Sequence, residues 1–129
     1  IRIVIDRTLR LPKHLHLLDG SIPTLVFTEK ENITSEAAPI PVEYIKINFA
    51  GNVPEQITGQ LFQRKIISVL VEGGEKLHTG FIQQGLWDEA RIFTGYMKLG
   101  KGVTAPKISG KQISEETFGT AQLLVIKNE

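Results

Sequence analysis

The chain has 129 residues, 41% of them hydrophobic, and a formal net charge of +1. That suits one domain with one core and argues against disorder. Its 15 basic residues are scattered rather than striped, which leaves no electrostatic footprint for nucleic acid or an anionic membrane surface. There is no cysteine, and His14, His16 and His78 form no tight cluster, so disulfides, thiolate chemistry and a metal site are not expected. No apolar run approaches about 20 residues, so no membrane-spanning helix is expected. The opening Ile-Arg-Ile-Val-Ile-Asp lacks the features of a secretory signal, and a cytoplasmic location is the default. Because the chain starts directly on a strand-like run, we expect it to be an excised part of a longer polypeptide.

Residues 1–5 are apolar and β-branched apart from Arg2, and read as a buried strand. Residues 24–28 (Thr-Leu-Val-Phe-Thr) are a second strand, and the alternating residues 42–47 a third. Residues 35–41, polar and containing proline, read as a surface loop. Asn52 and Pro54 mark the start of a helix that carries Ile57, Leu61 and Phe62 on one face and runs to about Lys65. Residues 66–71 (Ile-Ile-Ser-Val-Leu-Val) have the strongest strand character of all and predict a central parallel strand, apolar on both faces. A second helix is predicted over 75–84, with Leu77, Phe81 and Ile82 inward and Gly85 as its stop. Residues 88–96 alternate as a strand, 98–110 read as a Gly- and Lys-rich loop, and 123–126 as the last strand. Helices between strands predict an α/β layer architecture, with residues 1–129 forming a single domain.

The chemistry is concentrated where the apolar run 66–71 meets Glu72-Gly73-Gly74 and the second helix begins. Glycines admit positive φ and let a ligand approach the backbone. The first N–H groups of a helix have no partner within it, and the helix dipole there favours negative charge. A phosphate group can bind at such a place. The pattern is neither the three-glycine dinucleotide fingerprint nor a P-loop, and a tight turn that binds nothing has about even odds on these grounds alone.

Three blocks carry a family resemblance. Residues 69–89 run Val-Leu-Val-Glu-Gly-Gly-Glu-Lys-Leu-His-Thr-Gly-Phe-Ile-Gln-Gln-Gly-Leu-Trp-Asp-Glu; residues 2–12 run Arg-Ile-Val-Ile-Asp-Arg-Thr-Leu-Arg-Leu-Pro; and Met97-Lys98-Leu99-Gly100 with Ala105-Pro106 takes the place of a Pro-Lys-Leu-Leu-Gly loop. In their order along the chain they resemble the C-terminal reductase domain of the bifunctional riboflavin-biosynthesis deaminase/reductase. The resemblance implies a dihydrofolate-reductase-like fold, a mostly parallel sheet flanked by helices, here incomplete at its N-terminus. It implies an NADPH-dependent reduction of 5-amino-6-(5-phosphoribosylamino)uracil, a pyrimidine ribose phosphate, to the ribitylamino compound. It assigns Glu72 to the substrate, and Arg7, Gly73, Gly74, Glu75, Lys76, Leu77, His78, Thr79 and Gly80 to the cofactor. It further implies a deaminase domain in the parent chain.

Several residues have plainer readings. Glu72 could cap the second helix, Lys76 could be a surface charge, and His78 a solvated residue on the polar side of its helix. Trp87 is expected to pack in the core, and Asp88 and Glu89 to open an exposed strand without a catalytic role. Strand edges left open by a truncated sheet are expected to drive homo-oligomerisation or a swapped dimer. The competing functional readings are another dihydrofolate-reductase-like reductase and a non-catalytic nucleotide-binding or assembly module.

Overall fold

The structure, a computed structural model, describes residues 1–31 and 42–129 and divides into two compact units, Ile1–Ile67 and Ser68–Glu129. The loop predicted over 35–41 lies outside the described residues.

The first unit is organised around one strand. β1 (Arg2–Ile5), β2 (Thr24–Thr28) and β3 (Val42–Lys46) form a parallel sheet in the order β1-β2-β3, so β2 has neighbours on both sides. Its register pairs Phe27 with Ile5 and Ile45. Successive β2 side chains point to opposite faces, and both faces are covered. On one, Leu25 and Phe27 join Ile45 and Ile47 beneath Ile57 and Leu61 of α1 (Val53–Gln63). On the other, Val26 meets Val4 and Val42 beneath Leu9, Leu11, Leu17 and Leu18. All five residues of β2 are therefore buried, and the hydroxyls of its two threonines donate to the carbonyls of Ile22 and Arg7.

Local chemistry fixes the ends of α1. Asn52 is the N-cap, its side chain accepting from the N–H of Glu55, as its position before the apolar pattern predicted. At the other end the N–H of Lys65 donates to the Phe62 carbonyl and that of Ile66 to the Leu61 carbonyl, the paired bonds of a Schellman cap. Lys65 adopts φ 59° there, a position glycine usually fills.

The second unit contains α2 (Glu75–Gln83) and an antiparallel sheet of β4 (Glu89–Gly95), β5 (Lys111–Phe118) and β6 (Ala121–Lys127) in the order β4-β6-β5. α2 ends in the same Schellman pattern, with Gly85 at φ 64°, its N–H donating to Ile82 and that of Leu86 to Phe81. Gly119, at φ 58°, turns the chain between β5 and β6. At Gly110 a Cβ would clash with the Lys127 carbonyl oxygen and lie 3.0 Å from the Trp87 ring, so only glycine fits between the half-buried indole and β6.

Two expectations change. β5 has no counterpart in the sequence reading: its Lys-Gln-Ile-Ser-Glu-Glu-Thr-Phe is too polar to announce a strand, and it forms because seven residue pairs, with a bulge between Gln112 and Ser114, bind it to β6. The predicted central strand over 66–71 is not in a ladder. The run is irregular, and Ile67, Val69 and Leu70 are exposed. Its strand propensity is real, but among the described residues no strand pairs with it, and a strand exists only through its neighbours.

Candidate functional site

The turn from residue 71 into α2 is held by two contacts. The half-buried His78 ring reaches back from the helix so that Nε2 lies 3.1 Å from the Val71 carbonyl oxygen, and the carbonyl of Gly74 accepts from the N–H groups of Leu77 and His78 at 3.1 and 3.3 Å. His78 is thus a clasp on the turn rather than a solvated residue. The N-cap of α2 is Gly74 itself, with no side-chain cap, which rules out Glu72 as the capping group and leaves its carboxylate exposed. Among the described residues, the N–H groups of Glu75 and Lys76 have no hydrogen-bond partner. They are the free donors that the first turn of a helix presents.

The two glycines do different things, and neither uses positive φ. Gly74 has φ −79° and ψ 172°, open to any residue, and a Cβ built on it would meet nothing within 4 Å. A Cβ on Gly73 would lie 2.9 Å from Cδ2 of Leu77. Gly73 is therefore small because the helix packs back on it. Gly74 keeps bare backbone beside open space and free donors, the arrangement that lets an anionic or nucleotide ligand come close to the chain.

Beyond the turn, α2 presents Glu75, Thr79, Ile82 and Gln83 to a groove of about 500 Å³ whose opposite wall is residues 103–107. The Thr79 hydroxyl donates to the Glu75 carboxylate at 2.8 Å, which ties down the acidic residue of the first turn. Lys107 supplies a cation to this wall, and Lys76 is exposed on the helix. Ala105 and Pro106, picked out in the sequence as one of the three blocks, line the groove. Gly73 to Gly80 thus fall together on the turn and the helix, with Glu72 just ahead of them. Sequence reading missed the groove wall at Val103, Thr104 and Lys107, whose glycine- and lysine-rich context signals only a loop.

Arg7 belongs to the first unit, just past the carboxyl end of β1, where parallel α/β sheets tend to bind ligands. Its Nε donates to Glu29 at 2.7 Å and its guanidinium lies 5.7 Å from the centre of the Phe49 ring. The preceding Asp6 is buried, and its carboxylate accepts from the N–H groups of Arg10 and Leu11 at 3.0 and 2.9 Å. That explains the Asp-Arg-Thr-Leu-Arg-Leu block physically: the aspartate ties down the turn, through Leu9 at φ 57°, that sends leucines over the sheet. Lys46 and Glu31 pair near the ends of β3 and β2, and the hydrogen bond to Lys46 is the main cause holding the Glu31 carboxyl below its ordinary range. Among the described residues no group of His, Asp and Glu could hold a metal ion, and no helix is long and apolar enough to cross a membrane. His16 pairs with Asp19 instead.

The model of the RibD C-terminal domain family matches residues 1–127. The chain belongs to that family. Curated relatives include the riboflavin biosynthesis protein RibD of Aquifex aeolicus, 28% identical over 116 residues, and that of Bacillus amyloliquefaciens, 28% identical over 120 residues. The matches take in 89% and 86% of this chain but only 32% and 31% of those proteins, so this RibD C-terminal chain spans about a third of their length. Among solved structures, Acinetobacter baumannii RibD superposes on 99% of the chain with a TM-score of 0.78 at 22% identity, covering 37% of that chain. A Thermotoga maritima protein described as a diaminohydroxyphosphoribosylaminopyrimidine deaminase/5-amino-6-(5-phosphoribosylamino)uracil reductase does so with a TM-score of 0.77 at 25% identity, again covering 37% of that chain. The likeness bears out the α/β, dihydrofolate-reductase-like fold. The described strands divide equally between a parallel and an antiparallel sheet.

Proposed function

We propose that the chain is part of a single NADPH-dependent reductase domain that acts on 5-amino-6-(5-phosphoribosylamino)uracil in riboflavin biosynthesis. The observation that carries this reading is Gly74: a helix N-cap without a side chain, next to open space and the free N–H groups of Glu75 and Lys76, in a chain of the RibD C-terminal domain family. NADPH would supply a hydride to the sugar carbon bearing the amine; the bond from that carbon to the ring oxygen breaks, and the oxygen takes a proton to leave an open ribityl chain.

This chain's own part is binding and orientation. The N–H groups of Glu75 and Lys76 face a phosphate of the dinucleotide, Gly73 and Gly74 keep side chains out of its path, and Leu77 to Gly80 continue the contact along α2. Glu72, exposed just before the turn, accepts hydrogen bonds from substrate hydroxyl or ring N–H groups. Arg7, steadied by Glu29 and Phe49, is assigned to a phosphate on the family resemblance. A cytoplasmic location, a deaminase domain in the parent protein and homo-oligomerisation complete the reading. The substrate and the reduced nicotinamide are intracellular metabolites, and the Thermotoga maritima protein is described as both deaminase and reductase.

The test is a titration with NADPH followed by cofactor fluorescence, with Gly74→Asp as the control. Saturable binding that the substitution removes supports the site, because the aspartate sets a side chain and a negative charge where a phosphate would lie. Absence of binding, both to this chain and to the whole reductase domain of the longer protein, would overturn it.

A further inference from the structure

Helix α2 begins on an acid. Glu75 is its first residue, and the N–H groups of Glu75 and Lys76 are donors without a partner among the described residues. A carboxylate in the first turn is drawn to such donors, because they are unsatisfied and because the helix dipole favours negative charge there. The Cα–Cβ bond also leans toward the helix N-terminus. Left to itself, the Glu75 side chain would compete for the position that the proposed function gives to a phosphate. It would fill the donors and set a second negative charge beside the ligand.

The structure turns this side chain the other way. The Thr79 hydroxyl, one turn further along the helix, donates to Glu75 Oε1 at 2.8 Å. Residues spaced in this way share one face of a helix, so the bond draws the carboxylate along the axis and away from the N-terminus. Both residues are half-buried on the α2 side of the groove faced by residues 103–107.

We infer that Thr79 is a positioning residue for the cofactor site: its hydroxyl holds the Glu75 carboxylate away from the N-terminal donors of α2 and keeps them open to an anionic group. This rests on the phosphate reading of the Gly74 turn. It has the Thr79 side chain act through Glu75 rather than by touching the cofactor. The two roles differ in a measurable way. A hydroxyl that touches the cofactor matters whatever residue 75 is. A hydroxyl that restrains a carboxylate matters only while the carboxylate is there.

The experiment is a double-mutant cycle of Thr79→Val and Glu75→Gln in the full chain, read by NADPH titration in low salt. Valine keeps the shape and helix propensity of threonine and removes the hydroxyl. Thr79→Val should raise the Kd for NADPH by about three- to five-fold, and less at high salt. On the Glu75→Gln background the same change should have an effect below about two-fold. Thr79→Ser, which keeps the hydroxyl, should recover the affinity. Equal losses on both backgrounds overturn the inference, as does no loss on either. The amide resonances of Glu75 and Lys76 give a second measure that needs no cofactor. Thr79→Val should move both downfield as the carboxylate reaches them, and the double variant should return them. Resonances that stay in place overturn the inference. A chain that does not bind NADPH overturns the phosphate reading, and the cofactor role of Thr79 with it. A chain that binds NADPH without the coupling overturns the role of Thr79 alone.

Discussion

β2 (Thr24–Thr28) and the run 66–71 are similar pieces of polypeptide in opposite surroundings. Both are short, rich in β-branched and large apolar residues, and free of charge. β2 lies between two parallel neighbours and under side chains on both faces, and Phe27 is 0% exposed. The run 66–71 has no ladder, and Ile67 is 94% exposed. Composition gives a segment the capacity to be a strand; burial and pairing come from what the rest of the chain places beside it. What differs is pairing: helix α1 and the leucines of 9–18 cover β2, and among the described residues no ladder includes 66–71.

The largest expected effect tests that difference directly. Phe27→Ala should cost about 3–5 kcal/mol of unfolding free energy, through lost transfer free energy and the cavity left between the sheet and α1. Leu70→Ala, at an exposed position of equal hydrophobic character, should change it by no more than about 0.5 kcal/mol in dilute solution. Denaturant titration followed by circular dichroism reads both. A cost above about 2 kcal/mol for Leu70→Ala would show that the run is buried in solution and that the contrast with β2 is false.

The same contrast explains what could be read from the sequence. Elements set by their own residues were legible: Asn52 and Pro54 at the start of α1, Gly85 at the end of α2, and β2 from its apolar core. Elements set by a neighbour were not. β5 is a strand because β6 binds it, although Lys111, Glu115 and Glu116 argue against one, and 66–71 lacks a ladder despite every local signal in favour. The candidate site divides likewise. The Glu72-Gly73-Gly74 turn and the helix after it stand in the sequence. The approach of Arg7 to Glu29 and Phe49, and the facing of α2 by residues 103–107, join positions distant in the chain. His78 shows the limit within a single element, since helical periodicity placed it toward solvent and the turn it follows drew it back onto Val71.

A smaller effect is expected where α1 hands over to 66–71. The two helices end in the same pair of hydrogen bonds, with Lys65 at φ 59° in one and Gly85 at φ 64° in the other. A side chain in that conformation costs about 1 kcal/mol, so Lys65→Gly should stabilise the protein by roughly 0.5–1 kcal/mol and Gly85→Ala should destabilise it by about 1 kcal/mol. Thermal melts at fixed concentration give the sign of each. If Lys65→Gly destabilises instead, then Lys65 makes a contact worth more than its backbone strain, and the entry to 66–71 is more tightly fixed than its exposure implies.

The smallest effect lies at the entry to β2. Asp19 stands in the turn before that strand, where its carboxylate accepts from the N–H of Ser21 at 2.9 Å, and the carbonyl of Ile22 then receives the Thr24 hydroxyl. Its pKa is lowered from 3.8 to about 2, first by the Ser21 side-chain hydrogen bond, next by the Ser21 N–H, and then by His16. The folded form therefore holds the proton less tightly than the unfolded chain does. The stabilisation is complete above about pH 4 and is lost as pH falls from there toward 2. The group is fully exposed, so the effect is slight, and it is best read as a difference: the gap in denaturation midpoint between the protein and Asp19→Asn should be constant above pH 4 and close between pH 4 and 2. A gap that persists at pH 2 would mean that Asp19 acts through the shape of the turn alone. In that case the entry to β2 is held by backbone geometry, as at the Lys65 entry to 66–71, and the two runs would differ only in what surrounds them.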